Sequence, residues 1–488
     1  MIVLDGASLT PAEVAAVARA GMQVELAAEA RARNASARAA IAARLTRGAP
    51  LYGATTGVGA LRDRVITEAE RELFQWNLLR SHAVSAGAPV APELVRAGMV
   101  VRANQLGAGG AGVAPELLDT LVAAVNADMV PFTRELGGLG TGDLAALADV
   151  ALALLGEGTV WGSDGAIAAP APARPITLGL RDALGFMSSN AFTAGHACLL
   201  SVDCRALMEA WLAVAALSFE ALQADPVVLD ERVQAGLGAP GQAAVARRMR
   251  ELLAGSALDP HGPDRLVQDP YPFRVLPQVD GVTLAALEQL EQVLGRELNA
   301  RPENALIDGG EALPNGNFHV AELAAALDSL RAALGQSASL IAARVSALLD
   351  PRTSGLTPFL AQRPGLDSGA MMLEYTAHGA AAEARSLTGG MAGQTVWASL
   401  GVESHASFAP IAARHTERVL AVMRVLIATE LVIAHRAVAL AGHEPAGAGT
   451  RALFEAANTA LPRGLEDREL ETNVEAACRL LADWRSPV

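Results

Sequence analysis

Apolar residues recur at steps of three and four along much of this chain. Leu284, Leu287, Leu290, Leu294 and Leu298 form one stripe, and Leu323, Leu327, Leu330, Leu334, Ile341, Val345 and Leu348 form another. Such spacing puts the side chains on one face of a helix, and such a face packs into a core. The glycine- and proline-rich turn from Pro302 to Asn317 joins the two stripes, which predicts a pair of long antiparallel helices. Alanine along both sides of the stripes predicts close helix–helix packing, within a subunit or between subunits. Leu144 to Leu155 predicts a shorter, strongly apolar helix. Ala183 to Val202 carries no charge over twenty residues but includes Ser188, Ser189, Asn190, Thr193 and His196. That predicts a buried helix, or a polar site at its start, rather than a membrane span. Residues up to about 190 mix short elements, glycine loops and shorter helices, and long helices follow from about residue 200. The expected fold is mainly α, with an N-terminal region over 1–190 and a bundle of long helices over 191–488.

Composition narrows the function. A chain of 488 residues, 51% hydrophobic and only 4% aromatic, has the length for a large core and the alanine-rich makeup of a helical protein. Its net charge of −14 argues against a nucleic-acid partner and against an anionic membrane surface. All 38 basic residues are arginine. Without lysine there is no Schiff base to pyridoxal phosphate and no Walker lysine. Cys198, Cys204 and Cys478 form no Cys-x-x-Cys pair, which predicts reduced, buried thiols in a cytoplasmic protein. No basic stretch followed by an apolar core opens the chain, so no signal peptide is expected. The nine histidines are scattered, and no metal is expected.

Gly140-Thr141-Gly142 lies at the mouth of the Leu144–Leu155 helix. A glycine turn in which Thr141 or Asp143 caps the helix accounts for it structurally. A β-hydroxy residue between two glycines also permits backbone chemistry. The Gly142 nitrogen, unshielded by a side chain, can approach the carbonyl two residues back and close a five-membered ring. Loss of water from Thr141 then leaves an electrophilic alkene. Other polar clusters interrupt the apolar background. Tyr52-Gly53-Ala54-Thr55-Thr56-Gly57-Val58-Gly59 holds one of three tyrosines; its spacing and the lack of lysine exclude a phosphate loop. Arg80-Ser81-His82 precedes Ala83. Gln268-Asp269-Pro270-Tyr271-Pro272-Phe273-Arg274, then Pro277-Gln278, sets a second tyrosine beside an arginine. Asn315-Gly316-Asn317-Phe318-His319 opens a helix, and Glu403-Ser404-His405 follows a glycine. Each alone reads as structure, a packed tyrosine–arginine pair or a helix cap. Their succession along one chain, with Gly-Thr-Gly among them, points to chemistry.

In that order the motifs resemble the histidine and aromatic amino acid ammonia-lyase family, from Tyr52 to at least His415. The first loop is similar to the family's Tyr-Gly-x-x-Thr-Gly-x-Gly, and Asn77-Leu78-Leu79-Arg80-Ser81-His82 to its segment of that type. Gln268 to Gln278 resembles Gln-Asp-x-Tyr-x-x-Arg-x-x-Pro-Gln. Asn315 to His319 resembles Gly-Gly-Asn-Phe-His, and Glu403-Ser404-His405 resembles Glu-Asp-His. The resemblance implies a helical subunit with a central long-helix bundle, assembled as a homotetramer whose active sites combine residues from several subunits. It implies a methylideneimidazolone electrophile made autocatalytically from an Ala-Ser-Gly-type tripeptide, here Gly140, Thr141 and Gly142. It also implies a small amino acid or related carboxylate as ligand. Tyr52 would take the β-proton, Arg274 would pair with the carboxylate in bidentate geometry, and Tyr271 would support the cofactor or the leaving amine. Phe318 would line the pocket, and Glu403 would face the cofactor or the substrate ring. Ser81-His82 resembles the histidine branch, and Glu403 with His405 points the same way, since a carboxylate suits a basic ring.

The chain also departs from the family pattern. Thr141 stands where serine forms the cofactor, and the segment is one residue shorter than Gly-Ser-Leu-Gly-x-Ser-Gly-Asp-Leu. A threonine-derived alkene carries a methyl group on the carbon that the amine attacks. Ser188-Ser189-Asn190 replaces Asn-Gly-Thr, Asp367 replaces an asparagine, Val402 a glutamine and Asp149 a histidine. Three readings follow. One is a lyase or aminomutase for histidine or a similar aromatic amino acid, with a variant cofactor. Another is a cofactor-free homologue using the same base and clamp for a different elimination, addition or cyclisation. The last is a non-catalytic partner subunit of an active paralogue.

Overall fold

The computed structural model describes residues 1–162, 164–170, 176–258, 267–394, 396–486 and 488. Helices dominate it. The described strands are short and paired two by two: Ile2–Leu4 runs parallel to Val24–Leu26, and the other pairs are antiparallel.

The stripes of leucine form the expected long helices, Leu276–Glu297 and Ala321–Leu349. Thr283 lies against Ser337 and Arg296 against Glu322, so the two run in opposite directions. Every stripe residue is buried except Leu284, which is half-buried. Removing one such leucine from water is worth about 1.5–3 kcal/mol. The connection from Pro302 to Asn317 is more than a turn, because it holds the hairpin Leu306–Asp308 with Glu311–Leu313. Two further long helices are Ala191–Leu222 and Ala409–Ala441. The apolar helix after Gly-Thr-Gly spans Leu144–Leu154, with Leu155 at its C-cap.

The uncharged stretch from Ala183 is not one helix. It contains the end of Asp182–Met187, a break at Ser188, Ser189 and Asn190, and the start of Ala191–Leu222. All three break residues are buried. Among the described residues one helix, Ala321–Leu349, is long and apolar enough to cross a membrane, and 72% of its apolar window is buried inside the protein. Cys198, Cys204 and Cys478 form no disulfide, and deep burial pushes the Cys198 thiol up.

Two compact units make up the chain. The first gathers Met1–Val202, Leu290–Leu327 and Gly390–Arg414; the second gathers Asp203–Gln289, Asp328–Gly389 and His415–Val488. In the first, the Pro92–Ala108 helix is buried along most of its length and crosses the start of the Ala191–Leu222 helix with no space to spare. A Cβ on Gly98 would stand 2.7 Å from the Phe192 ring, and one on Gly195 would stand 2.7 Å from the Ala97 carbonyl carbon. In the second, a Cβ on Gly241 would stand 2.3 Å from the Gly281 oxygen. The core of the second unit also holds a fully buried ion pair. Arg344 grips Glu430 in bidentate fashion at 2.7 and 3.0 Å, and Ser218 donates to the same carboxylate at 2.9 Å.

Candidate active site

The Tyr52 loop is a tight structure built on glycine and threonine. Thr55 Oγ1 accepts from the Leu51 N–H at 2.8 Å, closing the turn. Gly53 has φ +73°, and a Cβ there would lie 2.3 Å from Leu184, so only glycine fits. Its carbonyl accepts from the fully buried Gln75 amide at 3.1 Å. The Tyr52 hydroxyl accepts from the Gly59 N–H at 2.7 Å, which fixes the phenolic oxygen in place. The Tyr52 carbonyl accepts from Arg181 Nε at 3.1 Å. Arg181 is 1% exposed; it also donates to the carbonyls of Ala305, at 3.0 Å, and Asn304. Burial draws its pKa down to about 10, opposed by the nearby Glu303 and Tyr52.

The Gly-Thr-Gly segment is held on several sides. Gly140 and Gly142 take φ of +81° and +116°, conformations that favour glycine. The Gly142 N–H donates to Asn190 Oδ1 at 3.1 Å, and the Asn190 amide donates to the Phe318 carbonyl. The Gly140 carbonyl accepts from Ser407 Oγ at 3.0 Å, and the Leu139 carbonyl accepts from the Phe408 N–H at 2.9 Å. The Thr141 hydroxyl reaches Glu403 Oε2 at 3.3 Å. Asp143 does not cap the following helix with its side chain, contrary to the simple turn expectation. Its carboxylate instead accepts from the Thr193 N–H at 2.7 Å and the Thr193 hydroxyl at 2.8 Å. Burial raises its pKa to about 6, with those bonds opposing.

Ser81 and His82 end the Arg71–His82 helix. His82 Nδ1 contacts the Leu78 carbonyl at 2.8 Å, so the ring is folded back on its own helix. His319 Nε2 meets His405 Nδ1 at 2.9 Å, joining the segments that carry Phe318 and Glu403. Asp149 accepts from the Thr133 hydroxyl at 2.7 Å and from Ser85, and burial raises its pKa. Tyr52, His82, Thr141, Phe318 and Glu403 all belong to the first unit, whereas Tyr271 and Arg274 belong to the second. There Phe273 is buried against Phe219, with ring centroids 5.3 Å apart. That anchor leaves Tyr271 68% exposed, with the Arg274 guanidinium over its ring at 5.7 Å.

A family model described as aromatic amino acid lyase matches residues 9–459 of the chain. This protein belongs to the aromatic amino acid lyase family. A histidine ammonia-lyase of Symbiobacterium thermophilum is 37% identical over 98% of this chain and 96% of its own length. One of Bacillus subtilis is 33% identical over 99% and 96%. Among solved structures, ergothionase of Treponema denticola, an ergothioneine-degrading enzyme, superposes with a TM-score of 0.94 at 27% identity, covering 99% of this chain and 98% of that one. Tyrosine aminomutase of Streptomyces globisporus gives a TM-score of 0.94 at 28% identity over 99% and 96%.

Family members carry a methylideneimidazolone made from their own backbone, and the residues here can be tested against that group. Its formation needs an unshielded nitrogen at 142, a carbonyl at 140 and a hydroxyl at 141. All three are present, and each is held by a neighbouring side chain. Asn190 supplies an amide to the tripeptide although the family's Asn-Gly-Thr reads Ser-Ser-Asn here. Two participants had no sequence signal of their own. Ser407 is one serine among many, distinguished only by lying two residues after His405. Arg181 is the last charge but one before a long uncharged run, and that position was its only mark. Among the described residues, no group of three or more His, Cys, Asp or Glu side chains could hold a metal ion.

Proposed function

We propose that this protein is a carbon–nitrogen lyase or aminomutase for histidine or a similar aromatic amino acid, with Tyr52 as the base. The observation that carries this reading is the Tyr52 hydroxyl, fixed as an acceptor by the Gly59 N–H at 2.7 Å. A base for a weakly acidic β-proton must be held in place, and a backbone N–H aimed at the phenolic oxygen does that. Arg274 pairs with the substrate carboxylate through two parallel N–H donors, and Tyr271 supports the departing amine. Both lie at the surface of the second unit, and the reading has them complete a site on a neighbouring copy in a cytoplasmic homotetramer. Ser81, His82, Phe318 and Glu403 line the substrate end. Gly140-Thr141-Gly142 would supply the methylideneimidazolone, an electrophile that makes the amine a leaving group. The test is incubation with L-histidine, following ammonia release and near-ultraviolet absorbance of a conjugated acid. Wild type should turn over, Tyr52→Phe should fall at least about a hundredfold, and Arg274→Ala should raise KM about 10- to 100-fold. Full activity in Tyr52→Phe would sink the base assignment.

A second reading dispenses with the electrophile. A substrate whose nitrogen already carries a full positive charge leaves without it, so base and clamp suffice. The methyl group of Thr141, which would crowd an electrophile, favours that reading. An unmodified mass for the purified protein would retire the electrophile, and turnover of such a substrate that is lost in Tyr52→Phe would then separate this reading from a non-catalytic partner subunit.

A further inference from the structure

Ring closure of Gly140-Thr141-Gly142 forms a bond from the Gly142 nitrogen to the Gly140 carbonyl carbon. The carbonyl oxygen leaves as water with one proton from each of the Gly142 and Thr141 nitrogens, and a C=N bond remains. Thr141 then loses its α-hydrogen and its hydroxyl as a second water, giving the exocyclic alkene. No oxidant is consumed. As the nitrogen adds, negative charge gathers on the Gly140 oxygen, and a fixed donor at that oxygen lowers the barrier.

We propose that Ser407 is that donor, and that position 140 is glycine because the Ser407 hydroxyl occupies the place of a Cβ. This inference rests on the reading in which the cofactor forms. Ser407 Oγ donates to the Gly140 oxygen at 3.0 Å and lies 1.9 Å from where a Cβ on Gly140 would be. Its own oxygen accepts from the Ala409 N–H at 3.3 Å, so the hydroxyl proton is directed at the carbonyl. Ser407 is 1% exposed, which keeps water from competing for that bond. The segment is pinned from the next residue as well, because the Phe408 N–H bonds the Leu139 carbonyl while Phe408 holds φ +54°. A bulky residue in that region is strained and persists only when its surroundings enforce it. On the other side of the tripeptide, Asn190 Oδ1 holds the Gly142 N–H, which restrains the nucleophile. Ser407 thus belongs to the maturation of the tripeptide, whichever amino acid is later used.

Intact mass and peptide mapping across residues 134–155 test this without any activity assay. Wild type should lack two waters, localised to Gly140-Thr141-Gly142. Ser407→Ala should stay at full mass, or mature about a hundredfold more slowly after synthesis, while its thermal transition stays close to wild type. Ser407→Thr, which retains the hydroxyl, should mature. Gly140→Ala should also block maturation, and adding Ser407→Gly should not restore it, because the clash is relieved but the donor is gone. Should Ser407→Ala fail to fold, this double variant carries the test. Maturation of Ser407→Ala, or of the double variant, at the wild-type rate would overturn the role of Ser407 and leave the lyase reading standing. A wild-type protein at full mass would overturn both the inference and the cofactor on which it rests.

Discussion

Asp280 provides a test of the physics in the core of the second unit. It is 0% exposed within the Leu276–Glu297 helix. One carboxylate oxygen accepts from the Ser337 hydroxyl at 2.7 Å. Burial raises its pKa from the ordinary 3.8 to about 6; Arg344, the Ser337 hydroxyl and the Trp211 indole oppose the rise, and Glu430 adds to it. A native pKa above the unfolded one means that the folded protein holds the proton more tightly. The stability from protonated Asp280 is therefore fully present below about pH 4, lost between about pH 4 and 6, and absent above. A displacement of about two pH units at about 1.4 kcal/mol each corresponds to about 3 kcal/mol. Asp280→Asn keeps an oxygen for Ser337 and removes the buried charge. For a chain of 488 residues, unfolding entropy makes about 1 kcal/mol equal to about 1 °C in Tm. The variant should thus melt about 3 °C above wild type at pH 8 and level with it or below at pH 4.5. Comparing the two proteins at each pH cancels the other titrating groups. A difference in Tm that does not change sign or size between pH 4.5 and 8 would refute the assignment of that burial cost to Asp280.

Other expectations concern the first unit. Arg181→Met removes the donor from three backbone carbonyls, including that of Tyr52; kcat should fall about a hundredfold with KM little changed, since a misplaced base costs turnover more than binding. Arg181→Lys should recover part of the loss, and equal kinetics for Met and Arg would remove Arg181 from any positioning role. Gly98→Val places carbon against the Phe192 ring, where even a Cβ would stand at 2.7 Å. Overpacking of that kind costs about 1–3 kcal/mol, so Tm should drop by a few degrees, and pairing it with Phe192→Leu should return part of the drop.

The long helices were legible because their signal is periodic and local. Leucines three and four residues apart announce a buried face whatever the partner, and the alternation from Leu284 to Leu348 placed both helices and their antiparallel order. The family was legible through motifs, and the site loops with it. What the sequence could not show is how the loops meet. Thr141 and Glu403 are 262 positions apart, and Gly140 and Ser407 are 267 apart; no local rule links them. Capping propensity pointed Asp143 at its own helix, but burial brought Thr193 within reach and tertiary structure took the carboxylate. A linear division of the chain also carries no trace of the way each compact unit draws on three separate stretches.

The departures around the tripeptide are connected rather than scattered. Compared with Ala-Ser-Gly, Gly-Thr-Gly has one methyl fewer at 140 and one more at 141, so its heavy-atom content is unchanged. The missing methyl opens the space that the Ser407 hydroxyl fills. The added methyl sits on the carbon whose hydroxyl reaches Glu403. Asn190 spans from the Gly142 nitrogen to the Phe318 carbonyl, although it stands in a segment that departs from the family's own. A helix cap supplies only an acceptor for the first N–H groups of the helix, so capping does not account for a buried hydroxyl that donates to the Gly140 carbonyl or for an amide oxygen that accepts from the Gly142 N–H. Here the capping residue turns away to Thr193, and the tripeptide is left with its carbonyl, its nitrogen and its hydroxyl each facing a separate side chain. That division of contacts suits a segment built to react with itself better than one built only to begin a helix.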